Sequence, residues 1–311
     1  MRSTMDGDTA PSAECATPTT SPETNLVPKH FTRFAAIDWS GAKGARHPGI
    51  ALAICDEGRT APLLVEPPRG VWSRSDILHW LHDRADDSLL VGFDFSFSAP
   101  FLDRGAYLPG ETDATDPRAL WAYVDRHSSD ADLGAASFLE TRRGRHFYLG
   151  AADGVKAHFM HYRRCEQHFN ANGGGKASTV YDAIGAAQVA KASFAGMRLL
   201  HHLDPAIPVW PIDPPPRRGA CVVEIYTTIA ARAAGIRKGL SKLRDGEALD
   251  LALAAMGSEP HLPMPRYTDH ATDAILTAAW LRTNARRDDL WHPPAMTRQI
   301  ARTEGWTFGV S

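Results

Sequence analysis

The chain has 311 residues, 43% of them hydrophobic and 23% charged, which is the balance of a globular protein with a sizeable core and excludes global disorder. Its 34 Lys and Arg against 36 Asp and Glu give a formal charge of −2, so a strongly basic nucleic-acid coat is excluded, although a local basic stripe is not. The four cysteines, Cys15, Cys55, Cys165 and Cys221, include no C-x-x-C pair, which argues against a disulfide framework or zinc ribbon and fits a reducing cytosol.

Residues 1–30 are rich in Ser, Thr, Pro and acidic residues, lack an apolar signal segment, and are expected to form a disordered tail. No apolar run approaches the roughly 18 residues of a membrane helix. The expectation is a cytoplasmic protein with no membrane contact. Order is expected over residues 31–311.

FAAIDWS (34–40) reads as a buried strand. GIALAICDEG (49–58) and APLLVEPP (61–68) follow as second and third strands, and their short connections predict an antiparallel meander. RSDILHWLHDRAD (74–86) carries Ile77, Trp80 and Leu81 at helical spacing, with Ser75 as the expected N-cap. SLLVGFDFSFSAP (88–100) predicts a fourth strand, which a crossover would lay parallel in the same sheet.

A helical insertion is expected over about residues 101–205, with helices at 117–128, 154–169 and 183–203. AIPVWPIDPPP (206–216) reads as a short strand, and ACVVEIYTTIAARAAG (220–235) as a strand running into a helix. YTDHATDAILTAAWLRTNAR (267–286) predicts a helix whose small residues permit close packing on a sheet. The fold class expected is therefore α/β: a mixed sheet, an antiparallel meander plus parallel strands, with a helical insertion.

Acidic residues are rare in buried strands because desolvating a carboxylate is expensive. Here Asp38, Asp94 and Glu224 each follow an apolar run, toward the C-terminal end of a predicted strand. In TDHATDA, Asp269 and Asp273 are spaced i, i+4, and His270 and Asp273 i, i+3, on neighbouring positions of one helix face. Carboxylates brought together repel and raise one another's pKa values. A hard divalent cation such as Mg²⁺ or Mn²⁺ relieves that repulsion, and a pair of ions about 4 Å apart can serve displacement at phosphorus. The pattern points to metal-dependent phosphoryl transfer or hydrolysis. The competing reading of any one acid is a loop cap or a partner for Arg.

The layout resembles the RNase H-like fold: three antiparallel strands, a helix, further parallel strands and a closing helix. More closely, IDWSGA, VGFDFSFSAPF, QVAKASFAGM, EIYTTIAAR and TDHATDAILTAAWL resemble a domain-of-unknown-function family of predicted RNase H-like nucleases, over roughly residues 34–285. The closing helix also looks like that of RuvC-type resolvases. The resemblance implies a nuclease whose acidic site is Asp38, Asp94, Glu224 and Asp273, with metal held by these and Asp269, and nucleic acid as substrate. Thr227 and Thr228 stand where relatives are expected to carry a proline-bearing turn.

Ser40, Lys43 and His270 are candidate substrate-binding residues near this site; for Lys43 the competing reading is an exposed hairpin turn. Arg142, Arg143, Arg145 and His146, with Arg163 and Arg164, make the insertion locally basic and mark a candidate backbone-binding surface, with Phe147 and Tyr148 for stacking. His158, His161, Cys165 and His168 recur at 3, 4, 3 spacing, but one straight helix cannot wrap a tetrahedral zinc, and a packing stripe is the preferred reading. Two alternatives stay open: an ATP-dependent phosphotransferase of actin-like type, which needs two such cores, and a non-catalytic binding or scaffold protein with a relic acidic site.

Overall fold

A computed structural model describes residues 27–28, 30–185, 188–236 and 243–311. Cys15 and nearly all of the expected tail lie outside the described residues. Among the described residues, six strands form one mixed sheet in the order β3-β2-β1-β4-β6-β5. They are β1 (Arg33–Asp38), β2 (Ala51–Asp56), β3 (Leu63–Leu64), β4 (Leu89–Phe93), β5 (Val209–Trp210) and β6 (Cys221–Glu224). The first three pair antiparallel, and β4 pairs parallel with both β1 and β6. The mixed α/β sheet expected from the sequence is the one observed.

The described residues also form ten α-helices: α1 (Arg74–His82), α2 (Pro117–Arg126), α3 (Ala136–Glu140), α4 (Arg164–Ala171), α5 (Val189–His201), α6 (Thr227–Ala233), α7 (Gly246–Ala255), α8 (Asp269–Asn284), α9 (Asp288–Trp291) and α10 (Arg298–Thr303). Strand alternation divides the interior in two. Ala35 and Ile37 of β1 and Val91 and Phe93 of β4 join Ile77 of α1, Trp121 of α2 and Phe194 of α5 on one face. Phe34, Ala36, Leu90 and Val223 join the small residues Ala274, Ala278 and Ala279 of α8 on the other. Helices α2 and α5, within the segment expected as an insertion, thus share a core with the central strands. Among the described residues no helix is long and apolar enough to cross a membrane.

Several boundaries differ from expectation for local reasons. The N-cap of α1 is Ser73, in a capping box with Asp76, while the Ser75 hydroxyl donates to Asp132 at 2.8 Å. Strand β4 ends at Phe93, and a few residues on, the backbone donors turn to side chains: Ser96 N–H to Ser193 Oγ and Phe97 N–H to Glu224 Oε2. The helix expected at 183–203 begins only at Val189, after Gly185 at φ +109°. The helix expected at 154–169 is a short 3₁₀ turn (Lys156–Phe159) followed by α4, so His158 and His161 do not share a helix with Cys165 and His168.

Candidate active site

Parallel pairing of β1, β4 and β6 brings their C-terminal ends to one edge of the sheet. Ile37 is in register with Phe93, and Phe93 with Glu224. Asp38 and Glu224 are therefore the last residues of their strands, and Asp94 follows β4 directly, its N–H donating to Ile37 O at 3.1 Å. Helix α8 packs over β1 and β2 and brings its first turns to the same edge. Thr268 caps it, accepting from Ala271 N–H at 3.2 Å. Asp269, His270 and Asp273 thereby join Asp38, Asp94 and Glu224 around one cleft of about 420 Å³. The six residues come from four separate segments of the chain.

The acids differ sharply in environment. Asp94 is half-buried in the lining of the cleft. Desolvation, then the like charges of Asp38 and Asp273, push its carboxyl well above the ordinary range. Thr227 Oγ1 donates to it at 3.2 Å, giving a role to the threonine that stands in place of the expected turn proline. Asp38 is also raised, chiefly by burial, against the opposing pull of His270. His270 Nδ1 lies 2.7 Å from Asp38 Oδ2, and that hydrogen bond is the main cause of the upward shift of the imidazole. Asp269 also has Arg244 at 3.3 Å.

Glu224 is fully engaged. Arg163, itself 1% exposed, donates to both its oxygens at 2.5 and 2.8 Å. Thr307 Oγ1 and Phe97 N–H complete the shell at 2.5 and 2.7 Å. Arg163 also holds Glu166 at 2.6 Å and donates to the Glu304 carbonyl at 3.0 Å. This buried network departs from the metal role expected of Glu224: the lone pairs a cation would use are already taken by donors. Sequence reading placed Arg163 on a basic surface and missed the network, since its partners lie 3, 61 and 141 residues away.

The remaining expected substrate contacts lie elsewhere. Arg142 is buried, paired with Glu111 at 3.0 Å, and stacked over Phe138. Arg143 pairs with Asp153 at 2.7 Å. Phe147 is wholly buried, so it offers no stacking face. Neither Arg142 nor Arg143 lines the cleft, and neither do Ser40 and Lys43. Ser40 is instead held from behind: its carbonyl accepts from Arg74 Nε and Nη2 at 3.1 and 2.8 Å. Lys43 is exposed on the following turn.

Among the described residues, no three His, Cys, Asp or Glu side chains stand close enough to hold a metal ion as they are. The thiols of Cys55, Cys165 and Cys221 are free and buried; that of Cys165 borders the cleft, pushed up to about 12 by burial. No family model, curated protein or solved structure matches the chain.

Proposed function

We propose that the protein is a divalent-metal-dependent phosphodiester hydrolase acting on nucleic acid, with Asp38, Asp94 and Asp273 as the functional carboxylates. The observation that carries this reading is geometric: Asp38, Asp94 and Asp273 line one cleft, with the half-buried Asp94 facing the like charges of the other two. A merely structural carboxylate is normally paired with a cation or with several donors, as Glu224 is here. The strand order, meander first and parallel strands after, with α8 closing the sheet, is the layout the RNase H-like resemblance implies, and it supports the same reading.

The donor chemistry fits Mg²⁺ or Mn²⁺: three carboxylates with hard oxygens, whose mutual repulsion a cation would relieve. Asp38, Asp94 and Asp273 would hold the ion, with Asp269 at the edge and Asp38 keeping its bond to His270 beside the ion. The bound ion would supply charge neutralisation at the phosphate and an acidified water. Glu224 keeps its place in the Arg163 pair and shapes the floor. His270, on the rim with its side chain 46% exposed, is placed to hold a proton on Nε2 while Nδ1 stays on Asp38. Water adds to phosphorus and releases a proton to solvent, the P–O bond to the leaving group breaks, and the departing oxygen takes the Nε2 proton, giving a phosphomonoester and a hydroxyl; solvent then returns a proton to Nε2.

The actin-like alternative needs two facing cores, and the described residues form one sheet. The test is Mn²⁺- and Mg²⁺-dependent cleavage of labelled single-stranded, duplex, hybrid and branched nucleic acids, with identically purified Asp38→Asn protein beside the wild type. Metal-dependent cleavage by wild type alone is expected. No cleavage of any member, or equal cleavage by the variant, would sink the hydrolase reading.

A further inference from the structure

Resting on that reading, we propose that the cleft takes one unstacked nucleotide of a single-stranded nucleic acid, with its base against Tyr226 and Phe169 and its phosphodiester over the aspartates. Three features of the cleft support this: size, wall chemistry and charge.

At about 420 Å³ the cleft lies toward the small end of the range for small-molecule sites. It matches one nucleotide rather than a double helix. Its lining carries two half-buried aromatic rings beside the aspartates, Phe169 of α4 and Tyr226 just before α6, with centroids 5.6 Å apart at 72°. Rings set nearly at right angles offer a base one face to stack on and one edge to meet. Phe169 is braced by the Arg232 guanidinium, 5.5 Å from its centroid. Every base has a π face, so such a platform tolerates sequence and requires an unpaired base.

Charge separates single strand from duplex. Among the described residues, the cleft lining contains no Lys or Arg; His270 is its one group able to carry positive charge. Duplex and hybrid binding draws most of its strength from Lys and Arg along the phosphates. Of the arginines on the candidate backbone-binding surface, Arg142 and Arg143 are committed to Glu111 and Asp153. Within the described lining, stacking and an ion under one phosphate are the contacts that would supply affinity, which favours a flexible strand able to tuck a single unit inward.

The test is fluorescence anisotropy of the full-length protein with a short labelled single strand, the blunt duplex of the same sequence, and a free mononucleotide as competitor. Ca²⁺ replaces Mn²⁺ to slow cleavage. The single strand is expected to bind about tenfold tighter than the duplex and to outcompete the mononucleotide. Tyr226→Ala and Phe169→Ala should each weaken single-strand binding about tenfold while leaving the Mn²⁺-induced rise in Tm intact. Phe169→Leu keeps apolar volume without an aromatic face and guards against a folding defect; it should behave as Phe169→Ala, whereas Phe169→Tyr should restore binding. Duplex binding as tight as single strand, a mononucleotide that competes equally, or Leu and Ala variants that bind normally would overturn the proposal. Preferential cleavage of duplex would overturn it while sparing the hydrolase reading; no Mn²⁺ shift and no cleavage at all would remove both.

Discussion

His270 Nδ1 lies 2.7 Å from Asp38 Oδ2, a hydrogen bond that closes a sequence gap of 232 residues and ties the first strand to the last long helix. The bond holds the imidazole above its ordinary pKa. For a histidine raised in this way the stabilisation is complete below the unfolded value, about 6.5, and is lost as pH rises through the folded value. His270 is largely exposed, so its contribution to stability is small while its place at the rim is central. His270→Ala is expected to lower cleavage by about 10²-fold or more with little change in Tm, and Asp38→Asn to abolish turnover with the fold intact. Parallel thermal melts and turnover assays check both; a collapsed melting transition in Asp38→Asn would mark that residue as structural.

Asp94 yields a prediction opposite to that for a structural acid. Its folded pKa lies above the ordinary carboxylate value. Between the two values the folded chain binds more protons than the unfolded chain, so stability falls as pH rises through that window, and the penalty is complete above it. Asp94→Asn removes the charge and keeps an acceptor for Thr227. In metal-free buffer near neutral pH the variant should melt about 2 °C or more above wild type, with the gain vanishing below pH ~4. Adding Mn²⁺ should reverse the order, since wild type gains binding energy and the variant does not. Scanning calorimetry at both pH values, with and without Mn²⁺, decides it; a lower Tm for the variant in metal-free neutral buffer would show that the acid stabilises the fold.

Glu224 and Arg163 belong to the fold. Replacing one member of a buried pair leaves the other charge uncompensated, which typically costs 3–5 kcal/mol. Arg163→Met strands both Glu166 and Glu224 and should lose about that much stability or fail to fold. Glu224→Gln leaves Arg163 its bond to Glu166 and should be milder. It should also retain the Mn²⁺-induced rise in Tm that Asp94→Asn loses. Equal loss of that rise in both variants would return Glu224 to the metal shell.

The contrast between Glu224 and the aspartates shows what the chain reveals locally. An acid at the end of an apolar run is visible in the sequence, and parallel pairing then gathers three such ends without further information. Which acid is free to act depends on distant partners. Arg163 sits in a pair of arginines that reads as surface, yet it is enclosed by Glu166, Glu224 and the chain around Glu304. The same commitment sets where α4 begins: Arg163, held in that network, has φ −69°, ψ 161°, extended backbone, and α4 starts only after it. The His and Cys spacing on either side of it points to a continuous helix because periodicity carries no record of a buried ion pair.

Gly41, three residues after Asp38, is where the strand-end loop meets α5. A Cβ there would lie 2.3 Å from Ala192 N and from the Lys191 carbonyl carbon, and 2.7 Å from Lys191 Cβ. Those are mostly backbone atoms within a helix, which cannot swing aside as a side-chain tip can. The contact is reinforced one residue after Asp38, where the Trp39 indole donates to Ala192 O at 3.1 Å. Arg74 holds the same loop through the carbonyls of Ser40 and Ala42. The glycine of IDWSGA is thus required for close approach rather than for an unusual turn. Gly41→Ala must push the loop away from α5, at a cost of about 1–3 kcal/mol. Because the loop leaves directly from Asp38, the displacement should also reach the carboxylate cluster. Cleavage is expected to fall at least tenfold at a temperature where the variant remains folded, with a weaker Mn²⁺-induced rise in Tm. Gly44, on the same loop but with open space around its Cβ position, serves as the control. At φ +102° its replacement by Ala strains the backbone locally. Gly44→Ala should lose stability without comparable loss of Mn²⁺ response. If both variants lose the Mn²⁺ response equally, the close approach at Gly41 has no particular bearing on the site.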